Sequence, residues 1–359
     1  MKDTKHHPWA KDELRHADLG DRRLNRRLAR LVGDLAAHPA SSVPLACGAW
    51  SATKAAYRFW DNQRVAAQGI RDAHLCRTRE RLPTDGATIL AIQDTTVLNF
   101  SHHPATDDLG YLSALEQRGL FVHSTLAVGA DGVPLGLLQQ QVWARDDADF
   151  GKRKDRRHKE TAAKESQRWL DAVRDTEQAL PPEQAVLTVA DREADFYDLF
   201  AAPRRPGHDL LIRAKSRRRI QHEARLLGHG IATRPARGRL RVKLPRAHGR
   251  PGRTATLTLR WGTFAIEPPS THPRRASLSA LPLTVVLAQE ENPPKGVTAV
   301  RWLLLTTRKV SRFADAVQLV RCYTRRWLIE RYNYVLKSGC RLEGLQLETG
   351  ARLQRALAT

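Results

Sequence analysis

Residues 185–215, AVLTVADREADFYDLFAAPRRPGHDLLIRAK, read as strand, helix, strand. AVLTVAD is a short run of apolar and β-branched residues that ends on a carboxylate. EADFYDLFAA follows with helical character, and Pro and Gly precede the second apolar run, HDLLIRAK. Such continuous runs suit strands buried on both faces. Towards the N-terminus, ATILAIQDTTVLNF (87–100) has the same β-branched density. LFVHSTLAVGADGVPLGLLQQQVWA (120–144) reads as two strands around an Asp131-Gly132 turn. A helix is expected from about Lys159 to Leu180. Beyond the opening stretch, LTVVLAQEE (283–291) and AVRWLLLTT (299–307) are further strands, leading to a long helix from about Phe313 to Lys337. Three strands, a helix, a strand, a helix and a strand argue a mixed α/β sheet with helices against it.

The flanks have a different character. Leu24, Leu28, Leu31 and Leu35 recur at helical spacing among Arg22, Arg23, Arg26, Arg27 and Arg30, giving an expected basic helix over 12–40. WSATKAAYRFWDN (50–62) adds a second helical piece with Lys54, Tyr57 and Arg58, so a small helical unit covers about the first 70 residues. From Arg213 to Arg275 there are 17 Lys and Arg against two acidic residues, with alternating pieces such as GRLRVKLPRA and TATLTLRWGTFAIE. An inserted β-rich subdomain with a cationic face fits that pattern, and so does a solvated, partly disordered loop.

Sixty Lys and Arg against 38 Asp and Glu give the 359-residue chain a net charge of +22. That surplus favours polyanions and releases counterions when phosphates bind, so nucleic acid leads as a partner. A ribosome-associated or merely Arg-rich protein is the plainer reading of charge alone. No stretch approaches the ~20 apolar residues that span a bilayer, and the N-terminus lacks a signal-peptide core. Cys47, Cys76, Cys322 and Cys340 form no C-x-x-C pair, which argues against a disulfide framework or zinc site and leaves the cytoplasm as the expected compartment. No G-x-S-x-G elbow or P-loop occurs.

Three carboxylates stand out. Asp94 interrupts an apolar strand, and Asp191 ends one, where α/β sheets commonly place ligands. A strand-end Asp is also a common turn former or helix cap. On a continuous final helix, Tyr323, Arg326, Glu330 and Lys337 would fall within an arc of about 60°. A carboxylate there can hold a divalent metal while Arg, Lys and Tyr grip phosphates. An ordinary salt-bridged helix face explains the charges equally well, but gives no role to the two strand aspartates. Two Asp on neighbouring strands and one Glu on a helix make an oxygen-rich site for Mg²⁺ or Mn²⁺.

The segments LGDRRLNRRLARL, KAAYRFWDN, IQDTTVLNF, VADREADFYD, NPPKGVTAVRWLLLT and YTRRWLIERYNYVLKSGC closely resemble, in order, the Tn-five type transposases of the insertion-sequence-four family. The last fits the signature Tyr-x2-Arg-x3-Glu-x6-Lys without a gap. The resemblance implies an RNase H-like mixed-sheet core over 71–359, a β-rich insertion at about 216–300, and a helical end-binding domain over 1–70. It implies cut-and-paste transposition through hairpin intermediates, with Asp94, Asp191 and Glu330 as catalytic ligands of two Mg²⁺ ions, for which Mn²⁺ can substitute. Tyr323, Arg326, Lys337 and Arg213 become DNA-phosphate contacts, and Trp302 the aromatic that stacks on a flipped base. Read without the resemblance, Trp302 is a core tryptophan. Arg26, Arg27, Arg30, Lys54 and Arg58 become candidates for end recognition. The implied partners are transposon-end and target DNA, with a homodimer in the synaptic complex, at the bacterial nucleoid.

Two departures bear on these expectations. Asn333 stands where relatives often carry His, and the chain stops 29 residues after Glu330, without the family's helical dimerisation region. The alternative expectation is therefore a catalytically impaired DNA-binding remnant or inhibitor of transposition.

Overall fold

The structure, a computed structural model, describes residues 7–152, 159–246 and 251–359. Five helices come first: α1 (Pro8–Glu13), α2 (Arg22–Ala37), α3 (Val43–Cys47), α4 (Trp50–Asp61) and α5 (Ala67–Glu80). The helix expected over 12–40 is thus α2 with α1 before it. Gly20 takes a left-handed φ of 73°, and Asp21 caps the new start by accepting from Arg23 N at 2.7 Å. The leucine stripe then buries Leu28 and Leu31.

The chain continues as β1 (Ile89–Asn99), β2 (Gly110–Tyr111), β3 (Arg118–Val128) and β4 (Pro134–Trp143), then α6 (Gln167–Ala179) and β5 (Val186–Ala190). Helix α6 begins later than the Lys159 expected. Next come α7 (Tyr197–Ala201), β6 (His208–Arg213), α8 (Leu227–Ala232), β7 (Arg239–Leu244), β8 (Arg253–Ile266), β9 (Leu281–Glu290) and β10 (Arg301–Thr306). The last elements are α9 (Phe313–Thr324), α10 (Trp327–Tyr334) and α11 (Gly350–Ala358).

These ten strands form one sheet, ordered β3-β1-β5-β6-β10-β9-β8-β7, with β2 and β4 both pairing with the free side of β3. Strands β1, β5 and β6 are parallel, and the other pairings are antiparallel. The stretch expected as an inserted subdomain joins this sheet directly, because β9 pairs with β10 from Trp302↔Ala288 to Thr306↔Thr284. Residues 247–250 of that stretch lie outside the described part. Strand β7 closes the far edge, with Val242 buried and Arg239, Arg241 and Lys243 exposed.

The pleat sorts the apolar residues by parity. Leu90, Ile92, Leu187, Val189, Leu211, Leu304, Val286 and Leu257 share a cluster with Leu319, Val320, Tyr323 and Ile329 of α9 and α10. Their neighbours Ala190, Leu210, Ile212, Leu303 and Leu305 cluster with Trp169 and Val173 of α6, Phe200 of α7 and Ile231 of α8. The result is three layers, helix on sheet on helix. A further cluster joins Leu28, Leu31, Phe59, Trp60 and Ile70 of the N-terminal helices to Leu98 and Leu120 of the sheet and Leu353 of α11. Because this core is shared, Phe59→Ala should lower stability by about 3–5 kcal/mol and shift one cooperative transition. Calorimetry or urea unfolding checks this. A separate, earlier melting step for the helices would contradict it.

Candidate active site

Sheet register brings the polar positions together. Asp94 pairs with Ser124 of β3, Ile92 with Val189, Ala190 with Ile212, and Leu304 with Arg213. Carrying the parallel register two residues past Ile92↔Val189 sets Asp191 beside Asp94. One residue past Ala190↔Ile212 sets Arg213 beside Asp191. All three have the parity of Leu90, Val189 and Leu211, which fixes them to the face covered by α9 and α10. Asp191 and Arg213 lie where β5 and β6 end, the usual place for ligands in such sheets, and Asp94 stands beside them within β1.

Asp94 is half-buried, and Asn333 of α10 donates its amide to Asp94 Oδ2 at 3.0 Å. Burial pushes the Asp94 carboxyl up to about 7; nearby Asp191 and Glu330 add to the rise, while Arg326 opposes it. Asp191 caps a short 3₁₀ turn, Arg192–Ala194, its Oδ1 accepting from Glu193 N at 2.8 Å. The turn-forming and site readings of this residue therefore coexist. Glu330 projects from α10 and pairs with Arg326. Arg213 donates to the Arg301 carbonyl at 3.3 Å.

The continuous final helix is not observed. Hydrogen bonds of the i→i+3 kind, Arg326 N to Tyr323 O (3.0 Å) and Ile329 N to Arg326 O (3.2 Å), tighten the chain between α9 and α10. Residues Val335–Gly339 then widen into a π turn. Tyr323, Arg326 and Glu330 nevertheless stay together, with the Arg326 guanidinium 6.0 Å from the Tyr323 ring and paired with Glu330. Tyr323 is buried at 4 % exposure and meets Trp302 edge to face at 5.6 Å. Its phenol is held above its ordinary range by burial. Trp302 is correspondingly half-buried against the core. Lys337 lies in the π turn and pairs with Glu343 at 3.4 Å; Glu343 also accepts from Asn99 N at the end of β1.

Arg26, Arg30, Lys54 and Arg58 are exposed, Arg27 is partly so, and Arg30 lies 3.7 Å from Asp34. On α4, Trp50 (77 % exposed) and Tyr57 stand on the same face as Lys54 and Arg58. Trp50 was missed in the sequence, although the i, i+4, i+7, i+8 spacing was there to find it. The buried pair Asp195–Arg218 (2.7 Å) was also missed. Asp195 accepts from Lys215 N at 2.7 Å as well, so it ties the turn after β5 to the loop after β6. Behind the carboxylates, Arg168 of α6 bonds Thr95 and Glu193. Buried His123, its pKa pushed down to about 3 mainly by burial, meets Thr95 Oγ1 at 2.9 Å. A cation in a helix carries no such signal in sequence, because its partners are 25 and 73 residues away.

Comparison with known families gives two matches. Residues 6–65 match the family described as transposase DNA-binding, and residues 147–359 match the transposase DDE domain. The chain belongs to the DDE transposase family. Its partner is DNA, and DDE transposase domains generally use divalent metal ions. The matched segments contain Asp191 and Glu330 but leave out Asp94, whose inclusion rests on register and electrostatics.

The donor set suits a divalent cation in part. The rise in the Asp94 pKa comes partly from crowded carboxylates, which a cation would relieve. Among the described residues, no three acidic, His or Cys side chains converge closely enough to hold a metal as they stand. Glu330 is drawn instead to Arg326.

A pH test of the transposase follows. The folded-state pKa of Asp94 lies above its ordinary 3.8, so the stability associated with its protonated form is present below about pH 4 and lost as pH rises through about 7. Relative to wild type, metal-free Asp94→Asn should therefore gain in melting temperature across that window and level off above it. A difference independent of pH would show that Asp94 is not perturbed.

Proposed function

We propose that the protein is a cut-and-paste DNA transposase of the Tn-five type in the insertion-sequence-four family, with an RNase H-like core. The observation that carries the reading is the row Asp94–Asp191–Arg213 facing α10 and Glu330. The order β4-β3-β1-β5-β6, with β1, β5 and β6 parallel, supports the core assignment. On this reading residues 1–70 bind the transposon end through α2 and α4, and 71–359 hold the catalytic unit, with β7–β9 as its β-rich insertion. A homodimer would pair two ends before target DNA is engaged at the nucleoid.

Asp94, Asp191 and Glu330 would hold two Mg²⁺ ions, or Mn²⁺ in their place. Ions held so activate water or a 3′-hydroxyl and stabilise the leaving oxygen. The chain's own residues do the rest. A DNA phosphate approaching Arg326 competes with Glu330 for its guanidinium, freeing the carboxylate to turn towards the aspartates. Arg213, at the end of the row, adds positive charge on the other side of the scissile phosphate. Lys337 grips a neighbouring phosphate on leaving Glu343; Tyr323, expected as a phosphate contact but buried, instead braces Trp302, which stacks on the base extruded when the hairpin forms.

A second reading is an end-binding protein without cleavage, acting as an inhibitor of transposition. The Arg326–Glu330 pair favours it, because that pair withholds one ligand. Nicking of supercoiled plasmid in Mn²⁺ separates the two. The expected outcome is nicking that disappears in Asp94→Ala, Asp191→Ala and Glu330→Ala while DNA binding by gel shift is retained. Wild-type binding without nicking would favour the inhibitor. Trp302→Ala should slow hairpin formation and opening more than first-strand nicking; equal loss at both steps would remove its stacking role.

A further inference from the structure

Arg168 lies on the reverse face of the sheet from the carboxylates. Thr95, one residue past Asp94, points to that face by the alternation of β1. Arg168 Nε donates to Thr95 Oγ1 at 3.0 Å, Nη2 to Glu193 Oε2 at 3.0 Å, and Nη1 to the Glu165 carbonyl at 2.8 Å. The rings of Trp143 and Trp169 each stand 5.6 Å from its guanidinium, and the side chain is only 14 % exposed. Glu193 is the residue whose N–H donates to Asp191 Oδ1. One planar group therefore joins the residue after Asp94 to the residue that fixes the Asp191 carboxylate.

We propose that Arg168 is a positioning residue that sets the separation of Asp94 and Asp191, acting through Thr95 on one side and Glu193 on the other. The inference rests on the metal-site reading given above. Two metals held about 3.5–4 Å apart need carboxylates placed to within about half an ångström. The parallel ladder alone does not fix the last step of this register, because β5 ends at Ala190, one residue before Asp191. The side chain of Glu193 is 63 % exposed, so its pairing with Arg168 contributes little as an isolated surface ion pair. Its value is directional, because a guanidinium presents several donors in a fixed plane and an ammonium does not. Thr95 is held from its other side by buried His123, so the clamp closes on a fixed point.

The test is Mn²⁺ titration of the full chain by electron paramagnetic resonance, with circular dichroism to confirm folding at the same temperature. Arg168→Met should weaken Mn²⁺ binding by about tenfold or more, as loss of a group supporting metal ligands usually does. Simple electrostatics gives the opposite sign, since removing a cation near the site would tighten binding. Arg168→Lys, which keeps the charge but not the fork, should fall between the two. Glu193→Gln alters an exposed side chain and should fold as wild type, which keeps the clamp testable even if Arg168→Met does not fold. Because it also removes a negative charge near the site, weakened binding counts for the clamp only through its non-additivity with Arg168→Lys. It should weaken binding, and should add little when combined with Arg168→Lys, because both break one link. Unchanged or tighter Mn²⁺ binding in folded Arg168→Met, or an unaltered Glu193→Gln, would overturn the proposal. Asp94→Asn is the control: wild-type Mn²⁺ binding in that variant would mean the ligands are elsewhere, and the clamp would fall with them. Weakened binding in Asp94→Asn with no effect at Arg168 or Glu193 would refute the clamp alone.

Discussion

The two-residue period of the pleated sheet is the constraint on which the rest of the site depends. Side chains on a strand alternate faces, so a residue's parity decides whether it meets α9 and α10 or α6. Leu90, Ile92 and Asp94 share one parity, and Leu187, Val189 and Asp191 share the matching one. A register slip of one residue would bury the carboxylates under α6 and turn the apolar positions away from their core. The same apolar contacts that stabilise the sheet thus hold the acidic pair on the face where α10 can reach it.

Much of this was legible in the chain. Strands β1, β5, β6, β9 and β10 came through as β-branched runs, and the Asp131-Gly132 turn between β3 and β4 was marked by its dipeptide. The leucine stripe of α2 and the bounds of α4 were equally plain. What the sequence hid were the non-local terms. Periodicity extends a helix from Phe313 to Lys337, but the 3₁₀ step at Arg326 and the π turn at Val335 are set by hydrogen bonds that local propensity does not report. The pairing of β9 with β10 was hidden for a similar reason. A basic, Pro- and Gly-rich composition suggests a separate body, whereas edge-to-edge pairing depends on which strands are left unpartnered.

The site itself was half readable. Asp94, Asp191 and Glu330 were singled out as anomalies against their surroundings, and the electrostatic coupling of all three is seen in the raised Asp94 pKa. Their supporting groups could not be found that way. Asn333, Asp195, Arg218 and Arg168 are ordinary in their local sequence and become meaningful only through partners far along the chain. The candidate ligands are local oddities, while the residues that contact them or their neighbours are long-range coincidences.

The cationic outer strand has a consequence for solubility. A sheet that does not close on itself leaves an unpaired edge, and β7 exposes a row of backbone donors and acceptors there. Arg239, Arg241 and Lys243 stand along that edge, and Pro245 follows directly after the strand. Two copies meeting edge to edge would bring these like charges together, and the proline offers no N–H to extend the ladder. The positive charge that favours DNA therefore also guards this edge of the sheet against the addition of another molecule's strand.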